Sequence, residues 1–124
     1  MADFVFYKNT GILQYGARQW SAVSGGGRFQ ALQSKIYHVL ANALMSGTDP
    51  SQGVPYDAKY AHKAFKDKNN FGWFLWLGEA GLGIHPDGNV PGTEGCIGIK
   101  EPDTRDLFDL FKQLNTKGLT VEVK

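Results

Sequence analysis

One cysteine, the only one in the chain, and one of three histidines lie eleven positions apart in a glycine-rich stretch, GLGIHPDGNVPGTEGCIGIK, at residues 81–100. A free thiol has a pKa of about 8.5, and an adjacent imidazole lowers that pKa by pairing with the thiolate. The pair His85 and Cys96 therefore predicts a nucleophile and its base for acyl transfer. The competing interpretation is a buried structural cysteine, because a lone cysteine often packs as a small apolar residue.

The residues around this pair favour a reactive site. Gly95 and Gly98 leave the backbone beside the thiol uncrowded, and a turn that contains Thr93 could aim consecutive N–H groups at one point, as an oxyanion site requires. His85 follows a short apolar run and precedes Pro-Asp-Gly. We therefore expect both side chains at strand ends, where they can face a substrate.

Metal and cofactor chemistry is disfavoured by the residue types. One cysteine and three histidines do not provide the paired ligand spacing of a zinc site. The sequence predicts no cofactor and no metal.

Charge and length limit the function classes. Thirteen basic against twelve acidic residues give a net charge of +1, which does not favour nucleic acid as a partner. The longest apolar cluster, FGWFLWLG, is far shorter than the roughly 20 residues of a membrane span.

The N-terminal residues lack the features of a secretory signal, so we expect synthesis in the cytoplasm and delivery by other means if the substrate lies outside the cytoplasm. The 124 residues predict a single domain, 1–124.

Hydrophobic patterning predicts a mainly β protein, a compact antiparallel sandwich or barrel with one clear α-helix at about 103–115. Asp103 is the expected N-cap and Gly118 the stop signal of that helix. The predicted strands are 4–7, 12–15, 18–24, 35–41, 71–77, 82–85, 96–99 and 119–123. The first two form a hairpin, with a positive φ at Asn9 or Gly11. A glycine loop is expected at Gly25–Gly27, and one helical turn near 58–65 within a polar excursion at 46–70.

The segment IHPDGNVPGTEGCIGI resembles the signature of the L,D-transpeptidase (YkuD-type) family. In that signature an isoleucine–histidine strand end precedes a Ser/Thr-x-Gly-Cys-Ile/Val turn. The matching residues are Ile84, His85, Thr93, Gly95, Cys96 and Ile97. A looser similarity extends to VSGGG at 23–27 and to KIYHVLANAL. The resemblance implies the L,D-transpeptidase fold.

The same resemblance implies a peptidoglycan stem peptide as substrate. Cys96 would attack the carbonyl of the third stem residue and release the terminal D-alanine, and His85 would deprotonate the thiol. The N–H of Cys96 would stabilise the oxyanion, with Gly95 and Thr93 shaping the turn. Water would then give carboxypeptidase activity, and an amine would give crosslinking or exchange. The residues expected to bind substrate are Ser24, Gly25, Glu94 and Lys100.

Two positions depart from the family signature. Glu94 stands where the family has histidine, and Gly98 stands where it has arginine. The residue expected to steady the site or to hold a substrate carboxylate is therefore either missing or supplied from elsewhere, by Lys100 or Arg105. The short interval between histidine and cysteine is similar to that of L,D-transpeptidase-like effectors of type VI secretion. That similarity predicts an antibacterial effector with a secretion carrier and an immunity protein as partners.

Other interpretations stay open at this point. The chain could be a phage lysis or tail-associated enzyme, a non-catalytic module that binds wall peptide, or a structural phage protein in which Cys96 is buried. His38 and His62 are expected to be structural or solvated. Trp73, Phe74 and Trp76 are expected in the core, with one aromatic ring on the opposite face of their strand.

Overall fold

The computed structural model describes residues 2–25, 33–39, 43–46, 67–69, 71–78, 82–86, 93–114 and 118–124. The strands are β1 (Phe4–Tyr7), β2 (Ile12–Tyr15), β3 (Arg18–Gly25), β4 (Ile36–His38), β5 (Leu44–Ser46), β6 (Trp73–Trp76), β7 (Gly83–Pro86), β8 (Thr93–Ile99) and β9 (Thr120–Val123), and the helix is α1 (Arg105–Leu114). The predicted mainly β class with a single clear helix is confirmed for these residues. The expected helical turn at 58–65, His62, and Gly26 and Gly27 of the glycine loop lie outside the described residues.

The described strands form one sheet in the order β4-β9-β1-β2-β3-β8-β7-β6-β5. Most neighbours are antiparallel, as expected. Two pairs, β1 with β9 and β7 with β8, are parallel and were not predicted. The second of these parallel pairs carries the candidate site.

The first hairpin forms as the sequence predicts. β1 and β2 have the predicted bounds and pair antiparallel, with Phe6 opposite Leu13. Gly11 has φ 69°, and a Cβ at this position would lie 2.9 Å from the carbonyl oxygen of Ala22. Glycine is therefore required at Gly11 both for its backbone angle and for the approach of β3.

The helix fills the concave side of the curled sheet. The ring centroid of Phe111 lies 5.0 Å from that of Phe4 in β1 and 5.8 Å from that of Trp73 in β6. One helical side chain thus contacts strands from both halves of the sheet. Burial of the apolar face of α1, which includes Leu107 and Phe108, supplies the driving force for this arrangement.

A buried polar network joins the start of α1 to the segment that precedes β6. The Asp67 carboxylate accepts hydrogen bonds from the N–H and the hydroxyl of Thr104, at 2.9 and 2.8 Å, and from the N–H groups of Asn69 and Phe71. The indole N–H of Trp73 donates to the Thr104 hydroxyl at 2.8 Å. This network fixes where β6 enters the sheet.

The N-cap prediction is wrong by one residue. The carbonyl of Thr104 accepts the first helical hydrogen bond, from the N–H of Phe108 at 3.1 Å, so Thr104 is the N-cap. Asp103 supports the same turn by accepting the N–H of Arg105 at 3.0 Å. Thr104 occupies the cap position because its hydroxyl also satisfies the buried groups of Asp67 and Trp73.

Several strands differ from the predicted pattern. β8 begins at Thr93 rather than at residue 96, and β6 covers only Trp73–Trp76 of the predicted 71–77. The strand expected at 35–41 covers only Ile36–His38, and β5 at Leu44–Ser46 was not predicted. β5 is three residues long and is defined by its pairing with β6, with Leu44 opposite Leu75. A strand this short carries too little alternation to be recognised from sequence.

Candidate active site

The register of β7 and β8 places His85 and Cys96 on the same face of the sheet. Ile84 pairs with Ile97 and His85 pairs with Gly98 in the parallel ladder. Because side chains alternate along a strand, Ile84 and Ile97 share the face that packs into the main core. His85 and Cys96 lie on the opposite face.

The two candidate residues are diagonal neighbours on that face. Continuing the register places Gly83 opposite Cys96, so His85 is displaced from Cys96 by one strand and two residues. Strand spacing and rise give about 8 Å between their Cα atoms, a separation that a cysteine and a histidine side chain can bridge together. The sheet therefore brings the predicted nucleophile and base together.

His85 has a backbone partner that defines its tautomer. Its Nδ1 lies 2.7 Å from the carbonyl oxygen of Pro86. A carbonyl oxygen can only accept a hydrogen bond, so Nδ1 carries the proton and, in the neutral ring, Nε2 is the basic nitrogen. Pro86 thus acts as the orienting group for the candidate base.

Burial keeps the imidazole neutral. His85 is 6% exposed. Desolvation lowers the pKa of His85 from 6.5 to about 4, against the smaller opposing effect of the hydrogen bond to Pro86. A neutral imidazole at pH 7 suits a general base that accepts the thiol proton during attack better than it suits a preformed imidazolium–thiolate pair.

Phe74 is the aromatic neighbour of both residues. Its ring stacks on the imidazole of His85 at 5.6 Å between centroids and 11° between planes. Phe74 and Cys96 form a small buried cluster, separate from the main core, against which Trp76 packs. Trp73 lies in the main core, as expected. Phe74 and Trp76 both lie on the opposite face, where one exposed aromatic ring was expected, but Phe74 is buried there and Trp76 is half-buried.

The pairing of β3 with β8 is irregular next to Cys96. Val23 pairs with Gly98, and Gly25 pairs with Thr93, so four residues of β8 from Glu94 to Ile97 stand opposite one residue of β3. Such irregularities alter the direction of side chains and often adjoin active sites. The single residue of β3 is Ser24.

The substrate-binding candidates Ser24 and Gly25 therefore lie beside the candidate nucleophile, on the strand next to it. Ser24 is half-buried. Thr93, Glu94 and Gly95 belong to strand β8, so the turn expected at these residues is corrected to extended backbone. Their roles at the oxyanion and in substrate binding stay predictions.

The cation expected to replace the family's arginine is not beside Cys96. Lys100 is exposed and follows Cys96 by four residues, about 13 Å along the strand direction. Arg105 belongs to α1, where its guanidinium lies 4.8 Å from the ring centroid of Phe71 and donates to Asp109. Arg105 is thus engaged at the helix, and substrate binding by Lys100 remains a prediction.

A groove of about 410 Å³ lies away from this pair, between β3 and the start of α1. Its acidic side chains already have partners within the protein. Glu101 accepts the N–H of Ser21 at 3.0 Å, and Asp106 accepts the indole N–H of Trp20 at 3.1 Å. These acidic side chains are therefore engaged within the protein, and the groove is not a candidate active site.

Metal-binding clusters and membrane-spanning helices were both considered. Across the described residues, the side chains of His, Cys, Asp and Glu form no cluster of three or more that could hold a metal ion. Among the same parts of the chain, no helix is long and apolar enough to cross a membrane.

Solved structures provide the comparison for this fold. L,D-transpeptidase 1 from Mycobacterium tuberculosis superposes with a TM-score of 0.55 at 14% identity, over 98% of this chain and 60% of that chain. A mutant L,D-transpeptidase from Enterococcus faecium gives 0.59 at 18% identity, over 99% and 49%. The catalytic domain of the E. faecium enzyme, acylated by ertapenem, gives 0.54 at 21% identity, over 100% and 98%. This chain has the fold of an L,D-transpeptidase catalytic domain.

The chain spans about half to three-fifths of the length of the first two of these enzymes and nearly all of the isolated catalytic domain. No protein-family model matches the sequence, and no curated protein matches it. The predicted L,D-transpeptidase fold is thus confirmed by structure at low sequence identity.

Sequence reasoning missed three parts of the site. The carbonyl of Pro86 is a backbone group and leaves no side-chain signal. The stacking of Phe74 on His85 depends on the register of β6 and β7, which a pattern of apolar residues does not define. Gly83 could have been noticed as a glycine within an apolar strand, which often marks a close approach.

Proposed function

We propose that this protein is a cysteine enzyme of peptidoglycan, an L,D-transpeptidase or L,D-carboxypeptidase that acts on tetrapeptide stems. The observation that carries the proposal is the placement of His85 and Cys96 on one face of β7 and β8. The hydrogen bond from His85 to Pro86 supports it, because that bond leaves Nε2 as the base. The fold shared with L,D-transpeptidases supports the substrate class.

The reaction is a double displacement at one carbonyl. The sulfur of Cys96 attacks the carbonyl carbon of the third stem residue while the thiol proton passes to Nε2 of His85. The bond to the terminal D-alanine then breaks, and the imidazolium returns the proton to the departing amine. A thioester remains on Cys96. Water or an acceptor amine, deprotonated by His85, resolves that thioester and restores the thiol.

Covalent capture by a carbapenem tests the proposed nucleophile directly. One structural neighbour is an L,D-transpeptidase catalytic domain acylated by ertapenem. We expect the intact mass of this protein to increase by one ertapenem molecule after incubation, with the modification on Cys96. Cys96→Ala should gain no mass, and His85→Asn should react at a much lower rate. A folded wild-type protein that forms no adduct would argue against the proposal.

A second candidate is a non-catalytic module that binds wall peptide. The burial of Cys96, which is 7% exposed, favours a protein without enzymatic activity, either this module or a structural phage protein. In that case, Cys96 would react with iodoacetamide only after unfolding, and His85→Ala would leave the reaction unchanged. If the protein is an enzyme, iodoacetamide should alkylate Cys96 in the native protein. His85→Ala should then alter the pH dependence of that alkylation.

We further propose an antibacterial effector role, with a phage lysis or tail-associated enzyme as the alternative. Both roles require delivery to the wall, since peptidoglycan lies outside the cytoplasm. Expression in the bacterial cytoplasm should be tolerated, whereas the same chain directed to the periplasm by an added signal should damage the cell. Cys96→Ala is the matched control. Harmless periplasmic expression of folded wild-type protein would argue against a wall substrate.

Delivery determines which partners are expected. An effector requires a secretion carrier and an immunity protein that protects the producing cell, and a phage enzyme requires neither. Co-expression of neighbouring reading frames with the periplasmic form tests this point. Relief of toxicity by one such frame, through a protein that binds this chain, would favour the effector role.

A further inference from the structure

Phe74 occupies a position that no sequence motif marks. Leu75 pairs with Ile84 and Trp76 with Gly83 in the antiparallel ladder of β6 and β7. Continuing this register places Phe74 directly opposite His85, on the face that also carries Cys96. The side chains of these three residues therefore come from three neighbouring strands.

The Phe74 ring fills the space above Gly83. A Cβ built on Gly83 would overlap the ring of Phe74 and lie 2.6 Å from the carbonyl oxygen of Leu75. Gly83 stands between Trp76 on one side and Cys96 on the other in the same row of the sheet. The absent side chain of Gly83 is what allows the ring of Phe74 to reach Cys96.

The ring has a defined orientation and almost no exposure. It lies nearly parallel to the imidazole of His85, and Trp76 packs against it edge-on at 4.7 Å between centroids and 61° between planes. Phe74 is 2% exposed. The Phe74 ring therefore lies between Trp76 and the imidazole of His85, and close packing on both sides limits the orientations that the imidazole can adopt.

We propose that Phe74 is a positioning residue that sets the plane of the His85 imidazole and holds the side chain of Cys96 next to it. The inference rests on the proposed function, since it assigns Phe74 to the same pair. Phe74 contacts the base and the nucleophile and takes no part in bond formation. By excluding water from one face of the imidazole, the ring also contributes to the desolvation that lowers the pKa of His85.

The groups around His85 allow this effect to be isolated. On the shared face, Phe74 and Trp76 of β6 and Val23 of β3 are uncharged, and Cys96 of β8 is titratable. In the sequence, Glu94 is the acidic residue nearest to Cys96. A Glu94→Gln variant therefore serves to separate the effect of a carboxylate from the effect of the ring.

The test is the NMR titration of the His85 ring protons in the full chain without substrate. The signal is assigned from its loss in His85→Asn, since the chain has three histidines. Phe74→Ala should raise the midpoint from about 4 by at least about one pH unit, because water reaches the ring. Phe74→Leu should raise it less, and it retains most of the buried volume if Phe74→Ala fails to fold.

Phe111→Leu is the matched control. It removes a buried aromatic ring from the other side of the sheet and should leave the His85 midpoint unchanged while it lowers stability. Glu94→Gln should move the midpoint less than Phe74→Ala does. A midpoint that is the same in the wild type, Phe74→Leu and Phe74→Ala, with all three folded, would overturn the proposal.

Turnover provides the second measurement. With tetrapeptide stems, Phe74→Leu should lower kcat more than it raises KM, because misplacement of His85 and Cys96 affects the chemical step rather than binding. An unchanged kcat would also overturn the proposal. A wild-type protein that is inactive on stems would contradict the proposed function. The titration requires no substrate, so its result would still decide the role of Phe74.

Discussion

Nδ1 of His85 lies 2.7 Å from the carbonyl oxygen of Pro86, the next residue in the chain. The contact joins two neighbouring residues of β7. It assigns the proton to Nδ1 and leaves Nε2 as the base. Orientation of a catalytic imidazole by a third group is a general requirement of such pairs.

The first prediction concerns the pH dependence of activity. Because the pKa of His85 is lowered to about 4, the base stays deprotonated well below pH 6.5. We expect kcat/KM on tetrapeptide stems to fall on the acid side with a midpoint near 4. His85→Asn should reduce kcat about 10²- to 10⁴-fold, as loss of a general base does. An acid limb near 6.5 would show that the imidazole is solvated during catalysis.

The second prediction concerns stability. The folded protein binds fewer protons at His85 than the unfolded chain does between pH 6.5 and about 4. The free energy of unfolding therefore falls as the pH decreases through this window, and the total cost from His85 is about 3 kcal/mol. Above pH 6.5 this cost is absent.

Urea denaturation at pH 7 and at pH 4 measures this effect. His85→Gln should lose less stability on acidification than the wild type, by an amount close to that cost. His38→Gln is the control, since His38 is exposed on β4. Equal losses in the wild type and His85→Gln would show that His85 is not buried in solution.

From the sequence, the reactive residues of the site could be predicted more fully than the residues that surround them. His85 and Cys96 were recognisable because their residue types and glycine neighbours match a known signature. The strands β1 and β2 and the helix were predictable because each carries its own periodicity and turn residues. These features depend on local interactions alone.

The remaining features depend on pairing between distant segments. The parallel alignment of β7 and β8 and the three-residue β5 follow from which strands meet, and no local pattern specifies that choice. Thr104 replaces Asp103 as N-cap because Asp67, 37 residues earlier, binds the threonine hydroxyl. A cap of this kind cannot be identified from the residues next to the helix.

The third prediction tests that network. Thr104→Val removes the hydroxyl that binds Asp67 and accepts the indole N–H of Trp73. Leaving these buried groups unsatisfied should lower the free energy of unfolding by about 1–3 kcal/mol. Thr104→Ser keeps the hydroxyl and should cost clearly less. A Thr104→Val variant as stable as the wild type in urea denaturation, or one that loses less stability than Thr104→Ser, would show that the methyl group rather than the hydrogen bonds matters.

The most direct test of the account is mass analysis of muropeptides after incubation with the purified protein. Wild-type protein should convert tetrapeptide stems by trimming or exchanging the terminal D-alanine and should leave the glycan strands intact. Cys96→Ala should fold normally and convert none. Release of reducing sugar ends, no conversion by folded wild-type protein, or equal conversion by Cys96→Ala would contradict the assignment of His85 and Cys96 as base and nucleophile.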